Sequence, residues 1–209
     1  MLKIVLTIRN CASRFALRLT SAQLAMLQAD RERTPFTVRD VEQPCTARIG
    51  ALTLELRPDR VDRLADGSLA VIDYKTGADA EVKAWLDERP RLPQLPAYVQ
   101  ALGAEQVGAV AFARVRSGDT GYAGIARTDG SFPGLRVPGT RGWPRDYGSW
   151  EELLGAWRRR LELLAAEYAA GDARLAPDPS HACQYCHLAA LCRIDGTDGA
   201  RYGEEGGDE

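Results

Sequence analysis

The sequence predicts an α/β domain in which strands and helices share one core, followed by a cysteine-rich segment. Three observations predict it. Period-two alternation recurs between Phe36 and Tyr74, a helical stretch at Gln94–Leu102 leads into a strand-like run at Val107–Val115, and 209 residues at 45% hydrophobic content can bury one core without splitting. One domain is therefore expected over 1–195, with a Gly- and acid-rich tail over 196–209 expected to be disordered.

Ser13 to about Gln28 is rich in helix formers, with Phe15, Leu19, Leu24 and Leu27 roughly on one face, and predicts the first helix. Strands follow at Phe36–Glu42 and Ala51–Leu56. Val61–Leu64 and Ser68–Tyr74 read as a hairpin, because Ala65-Asp66-Gly67 supplies the Asp-Gly turn that antiparallel strands favour. Up to Tyr74 the expectation is a helix and then an antiparallel meander. After Lys75-Thr-Gly77 comes the helix at Gln94–Leu102, then the strand at Val107–Val115 and another at Tyr122–Arg127. Thr128–Gly148 holds five glycines and three prolines and reads as a long loop, a flap or a partly mobile linker. Ser149, followed by Glu151 and Glu152, opens a helix to about Ala170, with serine as N-cap and acids in the first turn.

The charge balance, 27 basic against 29 acidic residues for a net −2, does not advertise a nucleic-acid partner, so any such groove must be local. Arg57, Arg60 and Arg63 flank an acidic cluster, while Arg158, Arg159 and Arg160 read as a solvated helix face. Ile4, Val5 and Leu6 meet Arg9 too soon for a secretory or membrane segment, so a cytoplasmic protein without a membrane partner is expected.

The most informative stretch runs from Asp59 to Gly77. Asp73 closes an apolar strand and Lys75 follows two residues later, so both side chains project from one face. Asp59 begins the preceding hairpin strand, where pairing would bring it beside Asp73. Two converging carboxylates suit Mg2+, or Mn2+ in its place, which leaves room for substrate phosphate. Lys75 is placed to orient or deprotonate the attacking water, or to stabilise charge on the phosphate. An Asp-x-Lys triplet alone is common and reads as a surface ion pair. Its company shifts the balance: Glu42 ends an earlier strand, and Gln94 and Tyr98 stand four apart on one helical face.

The run Asp59-Arg-Val-Asp-Arg, then Val71-Ile-Asp-Tyr-Lys-Thr-Gly77, then Pro93-Gln94-Leu-Pro-Ala-Tyr98 resembles the nuclease domain of the RecB-like branch of the PD-(D/E)XK superfamily, AddB-like and "probable DNA repair protein" members especially. The resemblance covers roughly Thr34 to Cys192. It implies a restriction-endonuclease-like core, a mixed central β-sheet flanked by helices. It further implies metal binding by Asp59, Asp73 and the Tyr74 carbonyl, with Lys75 as the catalytic lysine. Glu42 matches the family's upstream acid, and Gln94 and Tyr98 its Gln-x-x-x-Tyr clamp. Asp62, an odd step from Asp59, reads instead as the partner of Arg60 or Arg63. The implied function is exonuclease-like hydrolysis of DNA in repair or recombination, with a helicase domain or subunit as a further partner and the chain either stand-alone or part of a larger machine. Two features depart from the pattern: Pro58 directly precedes Asp59, and no histidine lies upstream of the acids.

Cys183, Cys186 and Cys192 form a C-x2-C-x5-C array, read as metal ligands rather than disulfides. The resemblance implies a 4Fe–4S cluster whose fourth ligand is a distant N-terminal cysteine. Cys11 is the choice and Cys45 the alternative, although Cys45, between two strands, also reads as a small buried hydrophobe. Zn2+ bound by the three cysteines with His181 or His187 is the chemical alternative. Cys183-x-x-Cys186-His187 also fits c-type haem attachment, which the absence of an export signal disfavours. The alternative function is a catalytically inactive nuclease-fold DNA-binding or scaffold module, against which the joint presence of Asp59, Asp73 and Lys75 argues. A third reading, acids as surface decoration, predicts no effect of replacing Asp73 or Lys75.

Overall fold

The computed structural model describes residues 20–77, 81–130, 132–172, 187, 188 and 191. The chain divides after Ala170 into two compact units, Met1–Ala170 and Gly171–Glu209, a boundary inside the 1–195 span expected as one domain. All the elements named below belong to the first unit.

That unit is a mixed α/β structure. A five-stranded sheet runs in the order β1 (Phe36–Val41), β4 (Arg60–Leu64), β5 (Leu69–Lys75), β6 (Val107–Arg116) and β7 (Asp119–Ala126). All neighbours are antiparallel except β5 and β6, which are parallel because helix α2 (Gln94–Leu102) carries the chain back between them. Helix α1 (Ser21–Arg31) packs on one face. On the other face α2 and α3 (Trp150–Ala169) enclose a core of Trp85, Phe112, Trp150 and Trp157. Trp85 stacks tilted on Phe112 and edge-on against Trp157. The indole N–H of Trp157 donates to the Trp85 carbonyl and that of Trp150 to the Val107 carbonyl, whereas the indole N–H of Trp85 is buried without a partner.

Several expectations are corrected. The antiparallel meander is interrupted: β2 (Cys45–Ile49) and β3 (Leu52–Leu56) form a separate two-stranded hairpin, and β1 pairs with β4 instead. The hairpin lays Ala47 and Ile49 against Ala97 of α2 and Leu161 and Ala165 of α3. β2 escaped notice because it is only five residues long and its central Ala47 and Arg48 carry little strand signal. Cys45 opens this strand half-buried, rather than as a fully buried hydrophobe.

The described part of the first helix starts at Ser21, not Ser13. Thr20 caps it: its hydroxyl accepts from Gln23 N–H and the Gln23 side chain accepts from Thr20 N–H, a reciprocal capping box. Its buried residue is Met26, whereas Leu24 is exposed; Ser13 to Leu19 lie outside the described residues. The described residues of 128–148 carry a packed apolar set. Phe132, Val137 and Trp143 are buried, and an isolated parallel bridge from Arg136 to Ile125 fastens the segment to the end of β7.

Elsewhere the expected elements stand. The turn from β4 to β5 closes on Gly67 at φ 84°, with Asp66 accepting from the backbone and hydroxyl of Ser68. Ser149 caps α3 through Glu152 N–H. Gly124 is dictated by space, because a Cβ there would run into the Val110 carbonyl and the Ala111 Cα on β6.

Candidate active site

β5 ends in two half-buried residues after five buried ones, so its apolar stem is anchored in the core while its tip emerges. Asp73 and Lys75 leave that tip on the α2–α3 face, and the Lys75 ammonium lies 2.7 Å from Asp73 Oδ2. The contact is close but poorly aligned, leaving Oδ2 buried without a well-directed hydrogen bond. Phe112, beside Asp73 in the β5–β6 register, floors the site with its ring centroid 5.5 Å from the Lys75 ammonium.

Asp59 stands one step beyond the Arg60–Ile72 pair of β4 and β5, across from Asp73. Its Oδ2 accepts from the Tyr74 backbone N–H at 2.8 Å, which ties the two strand ends together. Burial pushes the Asp73 carboxyl above its usual range, Lys75 pulls it down, and the Asp59 charge pushes it up again; the net direction is up. A buried carboxylate with a like charge beside it and an oxygen poorly engaged is suited to take a further cation. Oxygen donors from Asp59, Asp73 and the Tyr74 carbonyl fit a hard divalent ion that keeps waters. No group of three or more His, Cys, Asp or Glu side chains converges among the described residues.

Gln94 and Tyr98 are brought to the same place. The Gln94 amide donates to the Tyr98 hydroxyl at 2.6 Å, and that hydroxyl donates to the Arg57 carbonyl at 3.0 Å. Burial pushes the Tyr98 phenol up, Gln94 draws it down, and the charges of Asp73 and Asp59 raise it further. Glu42 is brought beside Asp59 by its backbone alone, its N–H donating to the Asp59 carbonyl at 3.1 Å. Its side chain is exposed and its φ is +49°. Pro58, with no N–H to give, sits buried just before the strand instead of inside it.

The opposite face of the same strand ends carries a network that sequence reasoning found only in part. Asp62 is fully buried and takes a bidentate pair from Arg60, at 2.7 and 2.9 Å, as expected of a structural partner. Arg60 also reaches Asp30 of α1 at 2.9 Å and the Tyr74 hydroxyl at 3.1 Å. Arg33 pairs with Asp30 and Asp62 and is held between the rings of Phe36 and Phe132, each centroid 3.8 Å away. Two acids and two arginines balance in charge. Tyr74 thus has its hydroxyl fixed on one face while its N–H fixes Asp59 on the other. Asp30 and Arg33, three apart, read as no more than a helix-end pair, since the partners that complete the network, Arg60 and Asp62, lie about thirty residues away.

A family profile described as the PD-(D/E)XK nuclease superfamily matches residues 8–193. The chain belongs to the PD-(D/E)XK nuclease superfamily. The mixed five-stranded sheet flanked by helices agrees with the superfamily's restriction-endonuclease-like core. Members are generally hydrolytic nucleases that typically use Mg2+ or Mn2+, so a nuclease-type function with DNA as partner follows from membership. No curated protein matches the chain. A solved structure described as "Crystal structure of SSO0001" is similar at TM-score 0.39 and 13% identity, over 81% of this chain and 67% of that one. Cys11, Cys183, Cys186 and Cys192 lie outside the described residues of this nuclease-family chain, as does His181. No described helix is long and apolar enough to cross a membrane.

Proposed function

We propose that the chain is a Mg2+- or Mn2+-dependent deoxyribonuclease that hydrolyses phosphodiester bonds in an exonuclease-like manner, in DNA repair or recombination. One observation carries the reading. Asp59 and Asp73 stand across from each other at two strand ends, tied by the Tyr74 N–H to Asp59, with Lys75 against Asp73.

Asp59, Asp73 and the Tyr74 carbonyl would hold the cation, which when bound supplies Lewis acidity at the phosphate. Lys75 orients the attacking water or meets the charge that grows on the phosphate oxygens. Buried in part and seated over Phe112, it acts where water screens it little. Tyr98, steadied by Gln94 and the Arg57 carbonyl, closes the wall opposite. Glu42, exposed beside Asp59, stands at the mouth. The C-x2-C-x5-C spacing supports a metal centre on Cys183, Cys186 and Cys192, and the RecB-like resemblance implies a 4Fe–4S cluster with Cys11 as its fourth ligand, a structural staple, with Zn2+ as the alternative metal. A helicase domain or subunit is the partner the RecB-like resemblance implies.

The test is digestion of labelled single- and double-stranded linear DNA with Mg2+, Mn2+ or EDTA, comparing anaerobically purified protein with Lys75→Ala. Cleavage that needs the cation and falls at least about a hundredfold in the variant is expected. Equal activity in the variant, or none in the metal-loaded wild type, overturns the catalytic reading. Visible absorption and metal analysis of Cys183→Ser decide the cluster: iron with sulfide is expected, and zinc alone refutes it.

A further inference from the structure

Beyond the acids and Lys75, the same sheet face continues onto β6 and β7. In the parallel register Lys75 lies beside Arg114, and Arg114 lies across from Gly121 on the edge strand. Registered neighbours point to the same face, so Asp73, Lys75, Phe112 and Arg114 share it, with Arg116 two residues further along β6. At Gly121 there is no side chain, and a Cβ there would meet open space. The result is a ledge of cations that starts at the candidate catalytic lysine and runs outward, ~4.8 Å per strand.

One carboxylate holds this ledge at rest. Asp119 Oδ1 lies 3.1 Å from Arg114 and Asp119 Oδ2 lies 2.9 Å from Arg116, so a single anion sits between two guanidinium groups. The Nε of Arg114 is buried without a hydrogen-bond partner. That arrangement is half-exposed, and ion pairs of this kind contribute little, so an incoming anion displaces it at small cost. A phosphate diester offers oxygens that match the planar guanidinium fork.

We infer that Arg114, with Arg116 behind it, binds a backbone phosphate of the DNA strand next to the scissile one, and that Asp119 occupies that subsite until DNA arrives. The inference rests on the nuclease reading and names a substrate contact within it. It places the path of the strand across the tips of β5, β6 and β7, over the gap at Gly121.

Binding of a labelled single-stranded oligonucleotide is measured over a salt series with Ca2+ replacing Mg2+, and cleavage kinetics are followed in Mg2+. For Arg114→Ala the expected result is about tenfold weaker binding, a salt slope smaller by about one, and a rise in KM that exceeds any fall in kcat. Arg114→Lys restores the slope and only part of the affinity. Asp119→Asn, at an exposed hairpin tip and checked for folding by circular dichroism, binds DNA more tightly than wild type. Wild-type affinity and slope in both Arg114→Ala and Asp119→Asn, while Lys75→Ala abolishes cleavage, overturn the subsite and leave the nuclease reading standing. Failure of the wild type to bind DNA overturns both.

Discussion

Replacing Asp73 by Asn separates a carboxylate that waits for a cation from one that merely fills space. Asp73 is 2% exposed, and its carboxyl is held above the usual range by burial and by the charge of Asp59, against the pull of Lys75. A raised folded pKa means that the folded state holds the proton more tightly than the unfolded chain. That stabilisation is complete below the unfolded value of about 3.9 and is lost as pH rises through the folded value. At neutral pH without metal the ionised carboxylate is therefore a net liability, and Asp73→Asn is at least as stable as wild type. With Mg2+ or Mn2+ at about a hundred times its dissociation constant, the wild type gains about 2.7 kcal/mol. For a chain of this size that raises Tm by about 5–11 °C. Asp73→Asn loses nearly all of this gain. Thermal denaturation with EDTA and across a metal titration measures both arms. A variant that responds to metal as the wild type does, or that is several kcal/mol less stable in EDTA, refutes the reasoning.

Arg60→Met leaves Asp62 with Arg33 as its remaining partner and Asp30 with Arg33 and Tyr122, so the cost is about 3 kcal/mol, the lower end for breaking a buried pair. Urea denaturation of this variant beside Arg60→Met/Asp62→Leu checks it, the double change recovering much of the loss. Asp30 is held below the usual carboxylate range by Arg60, Tyr122 and Arg33 against its desolvation, so its stabilisation is present above about pH 3.9 and lost as pH falls through the folded value. Asp30→Asn is accordingly less stable at pH 7 and loses less on acidification, read from urea midpoints at the two ends. Tyr98→Phe strands the Gln94 amide and the Arg57 carbonyl, for a cost of about 1 kcal/mol in stability and a larger loss in kcat than in metal affinity, measured by kinetics against metal-dependent Tm.

The sequence by itself determined those features whose cause is local. The Asp66-Gly67 turn, the Ser149 cap, the span of α2 and the strand carrying Asp73 and Lys75 depend on neighbours within a few residues, and all are found as expected. Spacing of two along β5 put Asp73 and Lys75 on one face, and spacing of four along α2 joined Gln94 to Tyr98. Only the tertiary structure decided that β1 pairs with β4 while β2 and β3 stand apart, because the choice of partner depends on which apolar faces α2 and α3 cover. It also decided that the glycine-rich 128–148 segment is fastened to the end of β7, since three dispersed aromatic and aliphatic side chains find a surface only after β7 is in place. Least legible were the Arg33–Asp30–Arg60–Asp62 network and the neighbourhood of Lys75 and Arg114. A charge at one position reads as solvated until a partner from a distant strand removes its water, and only the folded chain supplies that partner.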